Sequence, residues 1–81
     1  MKKLSISLSN RFYKMCENIK NSQNYNDLNF HLGVACGFSS ALMLSDVIDF
    51  DCYVAMREYI DTVHSIWYSS NSNKVGGLLN E

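Results

Sequence analysis

The chain has 81 residues, a mass of 9.3 kDa, 47% apolar residues, 19% charged residues and no proline. This composition fits one compact domain and excludes two domains, a collagen-like chain, a disordered chain and a disulfide scaffold. Seven basic residues against eight acidic residues give a net charge of -1. The chain therefore lacks the overall positive charge on which nonspecific DNA binding depends.

The charges are unevenly distributed along the chain. Residues 1–20 carry a net charge of +4, and the remaining residues carry -5. The basic residues of the first part form a candidate basic face, which consists of Lys2, Lys3, Arg11, Lys14 and Lys20. Such a dipolar surface favours a charged partner or self-association. An ordinary solvated surface is the simpler interpretation, because isolated surface charges contribute little.

Cysteine usage and hydropathy indicate a cytoplasmic protein. The three cysteines, Cys16, Cys36 and Cys52, are an odd number, form no C-x-x-C motif and lie on the apolar sides of their segments. This pattern predicts reduced thiols that serve in packing. The first nine residues lack the sustained apolar run of a signal peptide. The most apolar stretch, residues 30–44, is shorter than the about 20 residues of a membrane-spanning helix, so we expect no membrane contact.

Apolar residues at spacings of three and four predict a first helix, helix I. They are Leu8, Phe12, Met15, Cys16 and Ile19. Ser9 is the predicted N-cap, with Leu8 and Tyr13 at the spacing of a hydrophobic staple. Upstream, apolar residues alternate with serines, so residues 1–8 form either a short strand or an extension of helix I.

The run at residues 21–26 is rich in asparagine and serine, which predicts a connector. Helix II then begins near Asn26 and ends at about Leu44 or Ser45. Asp27 in its first turn suits the positive end of the helix dipole. Helix II is apolar nearly all round, so we expect most of its surface to be buried.

Asp49 is the predicted N-cap of helix III, with Ile48 and Tyr53 at the staple spacing. Helix III is predicted to end at about Tyr68, with a core stripe of Tyr53, Met56, Ile60, Val63 and Trp67. We predict an all-α, three-helix domain over residues 1–69, in which helices II and III form an antiparallel hairpin with helix I packed across it. Residues 70–81 are the predicted flexible tail.

Small residues recur every four positions in helix II, at Gly33, Gly37 and Ala41. Such a line allows another helix backbone to approach closely, and close packing would offset the cost of two glycines inside a helix. The turn after helix II is short, so helix III of the same chain is the favoured occupant of this seam. An intermolecular helix is the alternative.

Aromatic residues are more numerous than a core of this size holds. The candidate interface residues are Phe38, Tyr53, Tyr59, Trp67 and Tyr68. Exposed tyrosine and tryptophan are typical of interface centres, and a small core gains stability from association. We therefore predict a protein partner and a homodimer.

No arrangement of residues predicts catalysis, a cofactor or a metal. The histidines, His31 and His64, and the cysteines lack the paired spacing of a zinc site. Cys52 is a poor nucleophile candidate because Asp49 and Asp51 oppose ionisation of its thiol. The acidic residues near Asp46 lack the glycine and the final glutamate of a calcium loop. We expect a protein that is not an enzyme.

The segments G-V-A-C-G-F-S-S-A-L and Y-V-A-M-R-E-Y-I, separated by Ile48, resemble the helical hairpin of small accessory proteins from phages and mobile elements of enteric bacteria. The resemblance implies a short noncatalytic protein that binds a host protein and inhibits or redirects it, as anti-defence inhibitors do. It supplies no functional residues. The alternative is a small nucleic-acid-binding module that uses the basic face of helix I, although no helix rich in Arg, Asn and Gln follows it.

Overall fold

The computed structural model describes residues 3–71 and consists of three helices. Helix α1 spans Ile6–Lys20, α2 spans Tyr25–Leu44 and α3 spans Phe50–Ser70. Each helix contacts the other two, and residues 3–71 contain no strand. The predicted all-α three-helix domain is therefore confirmed. Of the sequence predictions, Lys2 and most of the tail lie outside the described residues.

The core lies where one side of each helix meets the other two. Its buried apolar residues are Phe12, Cys16, Ile19, Leu28, Ala35, Ile48, Met56, Ile60, Val63 and Trp67. In α1 and α3 they recur at intervals of three and four residues, and the two in α2 lie seven residues apart, so each set lies on one helical side. Short connections join the helices, so consecutive helices run antiparallel.

Helix α1 begins earlier than predicted. Its N-cap is Ser5, whose Oγ accepts a hydrogen bond from the backbone N–H of Leu8 at 3.2 Å. The predicted cap at Ser9 is wrong, and residues 6–8 extend the helix rather than form a strand. A serine at either position supplies the same acceptor, and the described part of the chain offers no second strand for pairing.

The other two helices are capped by side chains of the connectors. Asn24 caps α2 by accepting a hydrogen bond from the N–H of Asp27 at 2.9 Å, so α2 begins slightly before the predicted Asn26. Asp49 caps α3 as predicted, accepting from the N–H of Cys52 at 2.9 Å. Helix α3 continues to Ser70, just beyond the predicted end.

A Schellman motif ends α2 and redirects the chain into α3. The N–H of Asp46 donates to the carbonyl of Met43 at 3.0 Å, and the N–H of Val47 donates to the carbonyl of Leu42 at 2.9 Å. Asp46 has a φ of 63°, in the left-handed region that this motif requires. The reversal places Ile48 in the core.

Trp67 connects the C-terminal end of α3 with the α1–α2 connection. Its indole Nε1–H donates to the carbonyl of Ser22 at 2.8 Å, and the side chain is only 1% exposed. The ring of Tyr25 lies 5.5 Å from that of Trp67, measured between centroids. One side chain of α3 therefore contacts both the α1–α2 connection and the first residue of α2.

Candidate interaction surfaces

The predicted seam faces solvent. Gly33, Gly37 and Ala41 are exposed, and a Cβ added to either glycine would meet no atom within 4 Å. The prediction that helix III of the same chain occupies the seam is therefore wrong. The buried side of α2 carries Ala35 and Ser39 instead. In a three-helix bundle each helix has only two neighbours, so one side of α2 is left uncovered.

The exposed side of α2 is apolar from Phe30 to Leu44. We call it the α2 stripe, and its residues are Phe30, Gly33, Val34, Gly37, Ala41 and Leu44. Phe30 is 67% exposed and Leu44 is 81% exposed. The single charged residue of α2 is Asp27, in its first turn. The prediction that most of the surface of helix II is buried is wrong, because the sequence pattern of α2 does not distinguish a buried side from an exposed one.

The aromatic residues predicted as one interface are separated in the structure. Trp67 is buried in the core, in agreement with the predicted core stripe of helix III, so its assignment to the candidate interface is wrong. Phe38 and Tyr53 are half-buried against that core. Tyr59 and Tyr68 are exposed, but they lie nine positions apart on α3. Nine positions correspond to about two and a half helical turns, so the two side chains lie on opposite sides of the helix. Of the five, Tyr59 lies in a concave apolar surface.

That concave surface is a groove between α1 and α3. It contains two adjoining cavities of about 290 Å³ and about 200 Å³. The rings of Tyr13 and Tyr59 line both cavities and meet edge to face, with centroids 5.4 Å apart. The other lining residues of this α1–α3 groove are Leu4, Phe12, Cys52, Ala55 and Met56 in the larger cavity and Cys16, Glu17, Lys20, Val63 and Ile66 in the smaller one.

Tyr13 and Ile66 are not among the predicted interface residues, although both are exposed and line the groove. Tyr13 occupies the staple position of the predicted Ser9 cap, which does not form because Ser5 caps the helix. Ile66 flanks the core stripe of α3, and spacing alone does not show that it lies outside the core. Their signal in the sequence is that they are large apolar residues adjacent to a helical stripe that already fills the core.

The candidate basic face is divided in the structure. Arg11 and Lys14 are exposed and lie three residues apart on α1. Lys20 lines the smaller cavity of the α1–α3 groove beside Glu17, and Lys3 precedes the helix. The described basic residues therefore do not form one continuous row along α1.

The thiols of this protein differ in their surroundings. All three cysteines are free, and Cys16 is buried whereas Cys36 and Cys52 are half-buried. Burial, with a smaller contribution from nearby Cys36, raises the pKa of Cys16 from its ordinary value of 9.0 to about 11. Because the thiolate is the nucleophilic form, this protonated thiol is suited to packing rather than to chemistry.

Polar groups near Cys36 form a small cluster between α2 and α3. Electrostatic attraction to Cys36, followed by the hydrogen bond with Tyr53, raises the pKa of Arg57 above its ordinary value. Arg57 donates this hydrogen bond from its guanidinium to the Tyr53 hydroxyl at 3.1 Å. Within residues 3–71, no group of three or more His, Cys, Asp and Glu residues is arranged to hold a metal ion.

Comparison of the chain with protein-family models, with characterised proteins and with solved structures finds no match. In the part of the chain that the structure describes, no helix combines the length and the apolar character needed to span a bilayer. The two surfaces that remain as candidate sites are the α1–α3 groove and the α2 stripe.

Proposed function

We propose that this chain is a noncatalytic protein-binding module that receives a helical segment of a partner protein in the α1–α3 groove. The observation that carries the proposal is the groove itself, an open apolar cleft between two helices with the rings of Tyr13 and Tyr59 at its centre. An amphipathic helix places its apolar side in such a cleft.

The residues of the groove resemble the centre of a protein interface. Tyrosine provides a large contact area with few rotatable bonds, and Tyr13 and Tyr59 are both partly exposed before any partner binds. Glu17 and Lys20 line the smaller cavity and supply charges of both signs. We expect a partner segment with apolar anchors, flanked by residues that complement these two charges.

The biological role that we propose is that of a cytoplasmic inhibitor or adaptor that binds a host protein, as the resemblance to phage and mobile-element accessory proteins implies. A nucleic-acid-binding module is the less supported alternative, because Lys20 lies in the groove, apart from Arg11 and Lys14. Binding to protein requires no cofactor.

A pair of neighbouring charge substitutions tests the groove. Ile66→Glu introduces a carboxylate into the smaller cavity, whereas Ser65→Glu introduces the same group at an exposed neighbouring position of α3 that does not line it. The parent and both variants are immobilised on beads and incubated with a lysate of an enteric bacterium. The proteins that the beads retain are quantified by mass spectrometry. We expect one host protein on the parent and on Ser65→Glu, with at least tenfold less of it on Ile66→Glu.

Before immobilisation, circular dichroism of the three proteins must show the same helical content. A loss of binding then reflects the altered groove surface and not unfolding. Equal retention of that host protein on Ile66→Glu and on the parent would contradict binding in the α1–α3 groove. If the parent retains no protein beyond those that also bind to uncoated beads, the proposed function itself is contradicted.

A further inference from the structure

The two ends of the α1–α3 groove differ in size and in charge. The larger cavity, of about 290 Å³, has no charged residue in its lining. The smaller cavity, of about 200 Å³, includes Glu17 and Lys20, which lie close to the C-terminal end of α1. A partner helix therefore meets a wide apolar site at one end of the groove and a narrower site with charges of both signs at the other.

The two cavities lie about two helical turns apart. On α3, the larger cavity extends from Cys52 to Tyr59 and the smaller one from Tyr59 to Ile66, so their midpoints are seven residues apart. Seven residues span about 10.5 Å along a helix axis. The cavities follow the same order on α1, where Phe12 lines the larger and Lys20 the smaller. Two side chains seven residues apart on a partner helix lie nearly in one line and match this distance.

The rings of Tyr13 and Tyr59 form the boundary between the cavities. They line both cavities and meet edge to face, with centroids 5.4 Å apart. A partner helix that fills both cavities crosses this boundary with the residues three and four positions after its first anchor. Large side chains at these two positions would hold the helix away from the groove, so small residues such as alanine fit there.

The direction of the bound helix follows from the two helices that flank the groove. Helices α1 and α3 run in the same direction, because α2 between them in the chain is antiparallel to both. Their dipoles therefore point the same way, and a helix laid between them is more stable in the opposite direction. Its N-terminus then lies beside Lys20, where both the ammonium group and the dipole of the partner helix favour a carboxylate of the partner.

We propose that the partner segment is an amphipathic helix that lies antiparallel to α1 and α3 and completes a four-helix bundle. From its N-terminus it carries an acidic residue that faces Lys20, then an aliphatic anchor for the smaller cavity. Two small residues follow over Tyr13 and Tyr59. An aromatic anchor for the larger cavity comes seven residues after the first anchor. The inference rests on the proposed function, because it requires that the groove receives a helix.

A peptide selection measures the spacing of the anchors. The probe is a display library of peptides about 18 residues long, five helical turns, composed of residues with high helix propensity together with Ile, Phe and Trp. Peptides are selected that bind the parent and Ser65→Glu but not Ile66→Glu. We expect at least tenfold enrichment of an aliphatic residue followed seven positions later by an aromatic one, with alanine at the third and fourth positions after the first anchor.

A charge reversal tests the direction of the helix. By fluorescence anisotropy, Lys20→Glu should weaken the tightest selected peptide at least fivefold, and lysine in place of the acidic residue of the peptide should restore the affinity. Lys14→Glu makes the same change of charge at an exposed position of α1 outside the groove and should leave the affinity unchanged. A nitroxide label at the N-terminus of the peptide should broaden the amide resonance of Ile66 more than those of Leu4 and Cys52.

Two kinds of failure are distinguishable. Selected peptides with another anchor spacing, equal effects of Lys20→Glu and Lys14→Glu, or stronger broadening at Leu4 and Cys52 would overturn this inference, while the proposed function would stand. If no peptide binds the parent in preference to Ile66→Glu, the groove receives no helix, and the proposed function fails together with the inference.

Discussion

At the residue scale, Trp67 contributes both apolar burial and a specific hydrogen bond. Its ring is enclosed in the core, and its Nε1–H satisfies the carbonyl of Ser22, which belongs to a buried residue of the α1–α2 connection. A buried carbonyl without a donor costs free energy, so the indole N–H is as important as the size of the ring.

Replacement of Trp67 by phenylalanine should therefore destabilise the protein. Trp67→Phe keeps an aromatic ring but removes the N–H donor and leaves unfilled volume, and we expect the free energy of unfolding to fall by about 2 to 4 kcal/mol. Urea denaturation followed by circular dichroism measures the change. Tyr68→Phe, at an exposed neighbouring aromatic residue, should change it by less than about 0.5 kcal/mol. Equal stability of Trp67→Phe and the parent would contradict the role assigned to this hydrogen bond.

Cys16 makes the stability of the fold depend on pH in the alkaline range. Its pKa is about 11 in the folded protein, above its ordinary value of 9.0, so the unfolded chain loses this proton first as pH rises. The contribution is fully present below pH 9 and is lost as pH rises towards 11, at up to about 1.4 kcal/mol per pH unit. Urea denaturation between pH 8 and pH 11 should show a steeper decline for the parent than for Cys16→Ala. Parallel profiles would show that Cys16 ionises equally in both states.

At the scale of the helices, the end of α2 depends on one residue with unusual backbone geometry. Asp46 adopts the left-handed conformation at the position where the Schellman motif usually has glycine. Aspartate tolerates this conformation better than most residues, whereas a β-branched residue does not.

Two substitutions at position 46 should therefore have different effects. Asp46→Val forces a β-branched side chain into the left-handed region, and we expect a loss of about 1 to 2 kcal/mol in the free energy of unfolding. Asp46→Gly removes this steric cost, so we expect its stability to remain within about 1 kcal/mol of the parent. Thermal melts of both variants beside the parent provide the measurement. A Val variant as stable as the Gly variant would mean that the chain reverses in another way.

The sequence predicted helix positions better than it predicted which sides they bury. Asp49 was predictable as a cap because it stands before a clear apolar stripe. Ser5, by contrast, competes with Ser9 for the same role, since each can accept a hydrogen bond from the helix backbone. For α2, apolar residues occur on every side, so the pattern contains no information on which side meets α1 and α3. That choice depends on packing between helices.

At the scale of the whole molecule, the candidate surfaces were only partly predictable. Tyr59 was identified as an interface residue, and it lies in the α1–α3 groove. Trp67 belongs both to the predicted core stripe of helix III and to the candidate interface, and it lies in the core. Spacing along one helix does not show which aromatic residues a second helix covers. The groove itself forms only where two helices lie side by side.

The distribution of charge over the folded molecule leads to an expectation for nucleic acid. Arg11 and Lys14 are the two basic residues that share the exposed side of α1, and two phosphate contacts give a slope of only about -2 in log K against log salt. With a net charge of -1, no long-range attraction adds to these contacts.

We therefore expect duplex DNA to bind with a dissociation constant weaker than about 10⁻⁴ M at physiological salt, because two contacts fall short of those that nonspecific binders make. Fluorescence anisotropy of a labelled duplex, titrated at 50 and 150 mM salt, measures both affinity and salt dependence. The double variant Arg11→Glu/Lys14→Glu should give the same weak signal as the parent and should keep its protein partner. Submicromolar, salt-sensitive binding that this double variant abolishes would instead establish the exposed side of α1 as a nucleic-acid site, since only charge on that side would have changed.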